Sequence, residues 1–183
     1  MSHRPTFRYY TATTLDGFLA DDQDNLDWLL SQPIDEQGAM NYTDFIGGIG
    51  ALVMGATTYE WVVEHELAQG NPWPYDIPCL VFTHRDLTPA APTVSIVAGE
   101  VTDHLDRITA LAGDKAVWVV GGGGLAAQFA QAGLLDEVTV SIAPVTLGSG
   151  RPLFPQPFDL ELVEVAQNRA FVCARYRVVG PRT

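Results

Sequence analysis

Positive charge is scarce in this chain of 183 residues, where ten Lys and Arg face 22 Asp and Glu and leave a formal net charge of −12. Neutralising nucleic-acid phosphates takes clustered Lys and Arg, so the composition excludes a nucleic-acid surface. An anionic ligand would have to be held by backbone amides and one or two placed basic residues, which singles out Arg85 and Arg151. Cysteine is nearly absent. Cys79 and Cys173 lie far apart in apolar, strand-like runs and read as small buried hydrophobes in a reducing compartment. No apolar run approaches the roughly 20 residues of a membrane helix, and no hydrophobic targeting segment follows Arg4 or Arg8, so a cytoplasmic protein without membrane contact is expected. His65 has no second histidine at ligand spacing. Asp21, Asp22, Asp24 and Asp27 fail the calcium-loop pattern, because the fifth position from Asp22 is Leu26 and no glycine holds the sixth. No metal site is predicted. No repeat, low-complexity tract or long linker interrupts the chain, which predicts a single domain over residues 1–183.

What is present is an alternating pattern of apolar segments, with 47% hydrophobic residues overall. Strands are predicted over 7–14, 51–54, 78–83, 93–97, 116–120, 138–143, 160–165 and 171–179. Helical spacing marks 35–46, 57–67, 101–112 and the segment opening at Leu125 and closed by Gly133. Early alternation implies parallel pairing with crossover helices, and the last two strands, with no helix between them, imply an antiparallel addition at one edge. "AVWVV" (116–120) is apolar throughout, as a central strand covered on both faces should be. Val138, Val140 and Ile142 instead alternate with Thr139, Ser141 and Ala143, the pattern of a half-polar strand. One mixed, mostly parallel α/β sheet is the expected fold.

Ligands of open α/β sheets gather at the carboxyl ends of the strands, so the turns there carry the functional reading. "VVGGGGL" places Gly121, Gly122, Gly123 and Gly124 between a strand and a helix. Such a turn leaves N–H groups free at a helix N-terminus, where a phosphate fits; equally, the glycines permit a tight turn and close packing of helix on sheet. "VMGATTYEW" offers Gly55 and a capping box of Thr57 with Glu60, either a second phosphate-ready turn or an ordinary helix start. "VFTHRD" ends a strand in Thr83, His84 and Arg85, whose guanidinium can pair with a phosphate or simply face water. "TLDGFLA" reads either as an Asp-Gly hairpin turn or as a loop folding over a ligand. Trp28, Met40, Tyr42 and Phe45 form a ring-accepting pocket or core.

Taken in order, "TLDGFLA", "LVMGATTYE", "VFTHR" and "VWVVGGGGLAAQFAQAGLLDEVTVSIAPVTLGSGRPLF" resemble the dihydrofolate reductase-like family. The branch is that of the C-terminal reductase domain of the bifunctional riboflavin-biosynthesis deaminase-reductase, RibD. The resemblance covers nearly the whole chain. It implies a three-layer α/β fold, with helices on both faces of a mixed, mostly parallel sheet and antiparallel C-terminal strands. The implied activity is an NADPH-dependent reductase, with NADH possible, transferring hydride to a small pterin- or pyrimidine-like heterocycle or to a carbonyl or imine compound. A homodimer is implied as well. Residue by residue, Val120, Gly121, Gly122, Gly123, Gly124 and Leu125 would cradle the pyrophosphate, and Gly55, Thr57 and Thr58 would meet the phosphates from the second turn. Thr83, His84 and Arg85 would surround the adenine ribose, with Ala12 and Gly17 beside the nicotinamide. A cis peptide at Gly121–Gly122 is a further implication.

Two departures from that pattern matter. Ala56 stands where dihydrofolate reductases often carry an Arg for the 2′-phosphate, which leaves NADPH over NADH to Arg85 and His84. The carboxylate expected near residues 37–40 is missing, so dihydrofolate is disfavoured, and Asp16 and Asp44 become the candidate proton donors. No zinc-deaminase motif accompanies the reductase pattern. The alternative is a non-catalytic protein that binds a nucleotide, pterin or flavin on the same fold.

Overall fold

A computed structural model describes residues 4–183. Its eight-stranded sheet runs in the order β5-β4-β3-β6-β1-β7-β10-β9. The strands are β1 (Phe7–Thr14), β3 (Ile49–Gly55), β4 (Cys79–Phe82), β5 (Val94–Val97), β6 (Ala116–Val120), β7 (Leu135–Ala143), β9 (Phe158–Asn168) and β10 (Phe171–Pro181). From β5 to β7 every pairing is parallel. Beyond it, β10 pairs antiparallel with β7 and with β9. A separate two-stranded ladder joins β2 (Phe18–Ala20) to β8 (Arg151–Pro152).

Side-chain alternation along the strands divides the core in two. Phe7, Tyr9, Val53, Val117 and Val119 face one side, where α4 (Leu105–Ala112) and α5 (Gly123–Gln131) bring Ile108, Leu125, Ala126, Phe129 and Ala130. Leu52, Met54, Val81, Trp118 and Val120 face the other, under α2 (Tyr42–Gly47) and α3 (Ala56–His65), with Phe45, Ile46, Tyr59 and Val63. This is the three-layer α/β arrangement expected from the sequence. All five residues of β6 are buried, as an apolar strand with no polar phase requires. Cys79 and Cys173 are both buried, and desolvation pushes the Cys79 thiol up to about 12, so it stays protonated and inert.

Local patterns fail where a distant side chain takes over. Residues 35–46 do not form one helix; only α2 is helical, and Met40 takes a left-handed φ of 53° just before it. The cause is Asn168, from the end of β9 and almost fully buried. Its carboxamide accepts from the Asp35 amide at 2.9 Å and donates to the Asp35 and Ala39 carbonyls at 3.0 and 3.2 Å. A helix would bond the Asp35 and Ala39 carbonyls to amides four residues on, and the Asn168 carboxamide takes both instead. The short helix α1 (Asp27–Leu30) carries Trp28 into a third apolar cluster with Ala143, Phe171 and Cys173. Phe45 stacks on Tyr10 with ring centroids 4.1 Å apart and packs against the α2–α3 side of the core, while Met40 packs against the Trp28 cluster, so Trp28, Met40 and Phe45 of the four suggested pocket residues join the core. Tyr42 stays partly exposed.

Candidate functional site

The carboxyl ends of β4, β3, β6 and β1 lie side by side, so Thr83, Gly55, Gly121 and Thr14 emerge along one edge of the sheet. From β3 the chain passes through α3 to β4 on one side. From β6 it passes through α5 to β7 on the other side, beyond β1. Crossovers that leave in opposite directions on opposite faces open a crevice between them. Both helices start at that crevice without a side-chain cap, α3 from Gly55 and α5 from Gly122. Their first-turn N–H groups and positive dipole ends are therefore available to an anion. Thr58 ties the two turns together, its hydroxyl oxygen accepting from the Gly122 amide at 3.3 Å.

The four consecutive glycines divide into two kinds. Gly121 has a φ of 75°, and a Cβ there would strike the Thr58 hydroxyl and lie 2.6 Å from its methyl carbon. At Gly123 a Cβ would overlap the backbone carbonyls of Pro152 and Leu153. These two glycines answer to the protein's own packing. At Gly122 a Cβ would meet only the Thr58 hydroxyl oxygen at 3.9 Å, and at Gly124 nothing within 4 Å. Those two leave the open side of the turn clear for a ligand, with Leu125 beginning the buried stripe behind it and Val120 buried beneath. The suggested cis bond at Gly121–Gly122 is not found, since no cis peptide occurs among the described residues. The left-handed Gly121 makes the turn instead.

Toward β4, the sequence reading needs two corrections. Thr57 and Glu60 form no capping box, because α3 begins at Ala56, two residues earlier than a Thr57 cap requires, directly after Gly55, which is still paired with Phe82 of β4. Glu60 turns outward and binds Arg85 at 2.6 Å. Arg85 is in turn oriented by its own amide, which donates to the Thr83 hydroxyl at 2.9 Å. His84 stands exposed at the same strand end. Arg151, the other suggested anion ligand, is gripped by Asp24 at 2.7 and 3.2 Å. Ser149 donates to Asp22 at 2.5 Å, so the acidic loop closes onto the 148–151 segment. A groove of about 680 Å³ runs along α3, lined by Thr57, Glu60, Trp61 and Glu64 on the helix and by Leu87 and Pro89 opposite.

At the end of β1, Gly17 completes a turn with a φ of 86°, its amide donating to the Thr14 carbonyl at 3.0 Å. The Gly17 carbonyl accepts from the Leu153 amide at 2.9 Å, which links this turn to the segment packed on Gly123. Ala12 lies nearby on β1, packed against the Trp28 cluster. Asp16 accepts from the Thr14 hydroxyl at 2.6 Å and from the amides of Leu147 and Gly148 at 3.1 and 2.8 Å. The Thr14 and Gly148 bonds hold its carboxyl below the usual range, so it is ionised near neutrality and has no proton to give. Its role here is to anchor the 147–148 loop. Asp44 sits in the first turn of α2, where its amide and one carboxylate oxygen both bond the side chain of Asn41 at 2.9 and 2.8 Å. With Glu36, Gln37 and Thr43 it lines a depression of about 230 Å³. The structure thus joins the two glycine turns to each other and to the β1 end, and leaves Asp44 on a separate element. Thr58, Glu60 and the Pro152–Leu153 carbonyls are partners that no sequence spacing identifies.

A parallel edge with a crevice at the strand-order reversal and two uncapped helix starts defines an open α/β protein with room for a ligand at the carboxyl ends of its strands. The RibD C-terminal domain model matches residues 5–174, and the chain belongs to that family. The uncharacterized protein YwjB of Bacillus subtilis is 30% identical over 146 residues, 79% of this chain and 80% of that one. Among solved structures, the "Putative riboflavin biosynthesis protein" of Shewanella sp. PV-4 superposes with a TM-score of 0.79 at 25% identity, covering 94% of this chain and 98% of that one. The deaminase and 5-amino-6-(5-phosphoribosylamino)uracil reductase of Thermotoga maritima shares the fold at a TM-score of 0.64 and 18% identity, covering 96% of this chain and 57% of that one. No helix among the described residues is long and apolar enough to cross a membrane.

Two outcomes test this geometry. Gly123→Ala is expected to destabilise the protein by about 1–3 kcal/mol, because the carbonyls it meets are backbone and cannot rotate aside. Gly124→Ala, in the first turn of α5, should be neutral or stabilising by up to about 1 kcal/mol in urea denaturation. Equal costs at the two positions would refute the division. Asp16, with its folded pKa lowered, contributes stability that is present above the ordinary carboxylate pKa and lost as pH falls through the folded value. The Tm of Asp16→Asn should therefore lie below that of the parent at pH 7, and the gap should narrow toward about pH 3. A gap that ignores pH removes the carboxylate anchor from the account.

Proposed function

We propose that this protein is a reductase that binds NADPH, with NADH as a second candidate, across the carboxyl edge of β4, β3, β6 and β1. The substrate class is a small pterin- or pyrimidine-like heterocycle or a related carbonyl or imine compound, and the whole chain acts as one domain. The observation that carries this reading is the pair of uncapped helix starts, at Gly55 and Gly122, held together by the Thr58 hydroxyl. Two converging N-termini suit two linked phosphates, in a chain whose net charge of −12 offers no general attraction for an anion.

In this reading the amides of Gly123, Gly124 and Leu125 receive one phosphate and those of Thr57 and Thr58 the other. Gly122 and Gly124 keep the approach clear. Thr83, His84 and Arg85 meet the adenosine end, and Ala12 and Gly17 the nicotinamide end. When bound, the nicotinamide supplies the hydride. The chain's own work is to hold the reacting carbons together and to exclude water. Asp16 serves that work as a positioning residue, fixing the 147–148 loop. Asp44 is the acid we propose for proton delivery. The occupied Asp16 carboxylate also fits the rival reading, a nucleotide, pterin or flavin binder without turnover.

Titration with NADPH and NADH, followed by quenching of the four tryptophans, tests the site. Saturable binding is expected, with Gly122→Ala and Gly124→Ala raising the Kd on the order of tenfold or more while the Tm does not fall, since a Cβ at Gly122 meets only the Thr58 hydroxyl oxygen at 3.9 Å and one at Gly124 meets nothing within 4 Å. No saturation by either nucleotide sinks the proposal. Cofactor oxidation with a panel of heterocycles then separates the reductase from the binder.

A homodimer through the outer hairpin belongs to the same reading. On β9 and β10, Leu162, Val163, Val165, Val172 and Val179 are all between 49 and 62% exposed, and β9 is an unpaired edge. Such a patch calls for a cover. Light scattering should give a mass near twice 19.8 kDa, and Val163→Lys with Val165→Lys should yield the monomer. A parent that is itself monomeric rejects the dimer.

A further inference from the structure

We propose that Glu60 sets which pyridine nucleotide this site accepts, by holding the Arg85 guanidinium that a 2′-phosphate would otherwise take. This inference rests on the nucleotide-binding reading above. Gly55 and Phe82 are register partners in β3 and β4, so the chain leaving β4 emerges beside the first turn of α3. There the Arg85 amide bonds the Thr83 hydroxyl at 2.9 Å, and the Arg85 side chain crosses to α3 and meets Glu60 at 2.6 Å. The pair bridges the two elements between which the ribose of an extended dinucleotide must lie once its phosphates occupy the helix starts.

The two possible guests meet this pair differently. A free 2′-hydroxyl is a donor, so Glu60 accepts from it while keeping Arg85 as its partner. A 2′-phosphate is an acceptor with close to two negative charges, and it must share one guanidinium with a carboxylate that repels it. The surroundings do not compensate. Glu60 and Glu64 line the adjoining groove, where the one further carboxylate, Asp24, already holds Arg151, and no Lys or Arg is among the lining residues. Ala56 adds no charge at the start of α3. With side chains 58 and 45% exposed, the ion pair is open to competition from a ligand, and its strength depends on salt. An arginine at this strand end would by itself signal NADPH. Its engagement by Glu60 lowers that preference.

Dissociation constants of NADPH and NADH, measured by calorimetry on the parent, Glu60→Gln, Glu60→Ala, Arg85→Gln and the Glu60→Gln/Arg85→Gln double variant, decide the matter. Glu60→Gln should tighten NADPH on the order of tenfold, from removal of one like charge near the phosphate. NADH should change little or weaken. Arg85→Gln should weaken NADPH more in the Glu60→Gln background than in the parent, because only there is the guanidinium released, and the gain should shrink as salt is raised. Circular dichroism melts confirm that the variants fold, and Glu60→Ala repeats the test should Glu60→Gln not. Saturable binding with an unchanged NADPH to NADH ratio in both Glu60 variants overturns the assignment to Glu60 and leaves the nucleotide site standing. Failure of the parent to saturate with either nucleotide overturns both.

Discussion

Three stretches of chain meet at one glycine turn, and the candidate site depends on how closely they approach. Gly121 admits the Thr58 side chain, and Gly123 admits the Pro152 and Leu153 carbonyls. A methyl group at either point would separate α3 or the 152–153 segment from the start of α5. Through the first contact the two helix N-termini open onto one crevice. Through the second, the turn at Gly17 and the β2–β8 ladder are tied to the same point, because Leu153 also donates to the Gly17 carbonyl. The edge of the sheet is thus a single rigid rim.

Four of the 22 acidic residues tie down the loops around that rim. Asp16 gathers the amides of Leu147 and Gly148, Asp22 receives Ser149, Asp24 receives Arg151, and Glu60 receives Arg85. Each carboxylate turns a flexible connection into a fixed one by charge-assisted bonds to groups far away in sequence. A consequence is that the arginines near the rim, Arg85 and Arg151, already have partners. Any anion entering there depends first on backbone amides, and the side-chain charges adjust its identity more than its affinity.

Much of the layer structure was legible from periodicity. "AVWVV" gave a doubly covered strand, because that signal arises within a few residues. The glycine run was legible as a turn that excludes side chains, though only the structure shows that half of it serves protein packing. Where a distant group intervened, local patterns misled. The helical spacing of 35–46 lost to the carboxamide of Asn168, and the Thr57–Glu60 capping box lost to Arg85 and to the strand register of Gly55. Asp16, a candidate acid by sequence, has its carboxylate taken up by Thr14 and by the 147–148 loop.

The sequence by itself determined the alternation of strands and helices, the apolar faces, the glycine turns after β3 and β6 and the resemblance to the RibD C-terminal family, since each resides in residue type and short-range spacing. Tertiary structure alone decided which of those turns adjoin, which glycines face ligand space and which charges are paired. Those outcomes rest on contacts between residues such as Thr58 and Gly122 or Asp16 and Gly148, which lie 64 and 132 positions apart. Only the order of strands in the sheet brings such residues within hydrogen-bond reach.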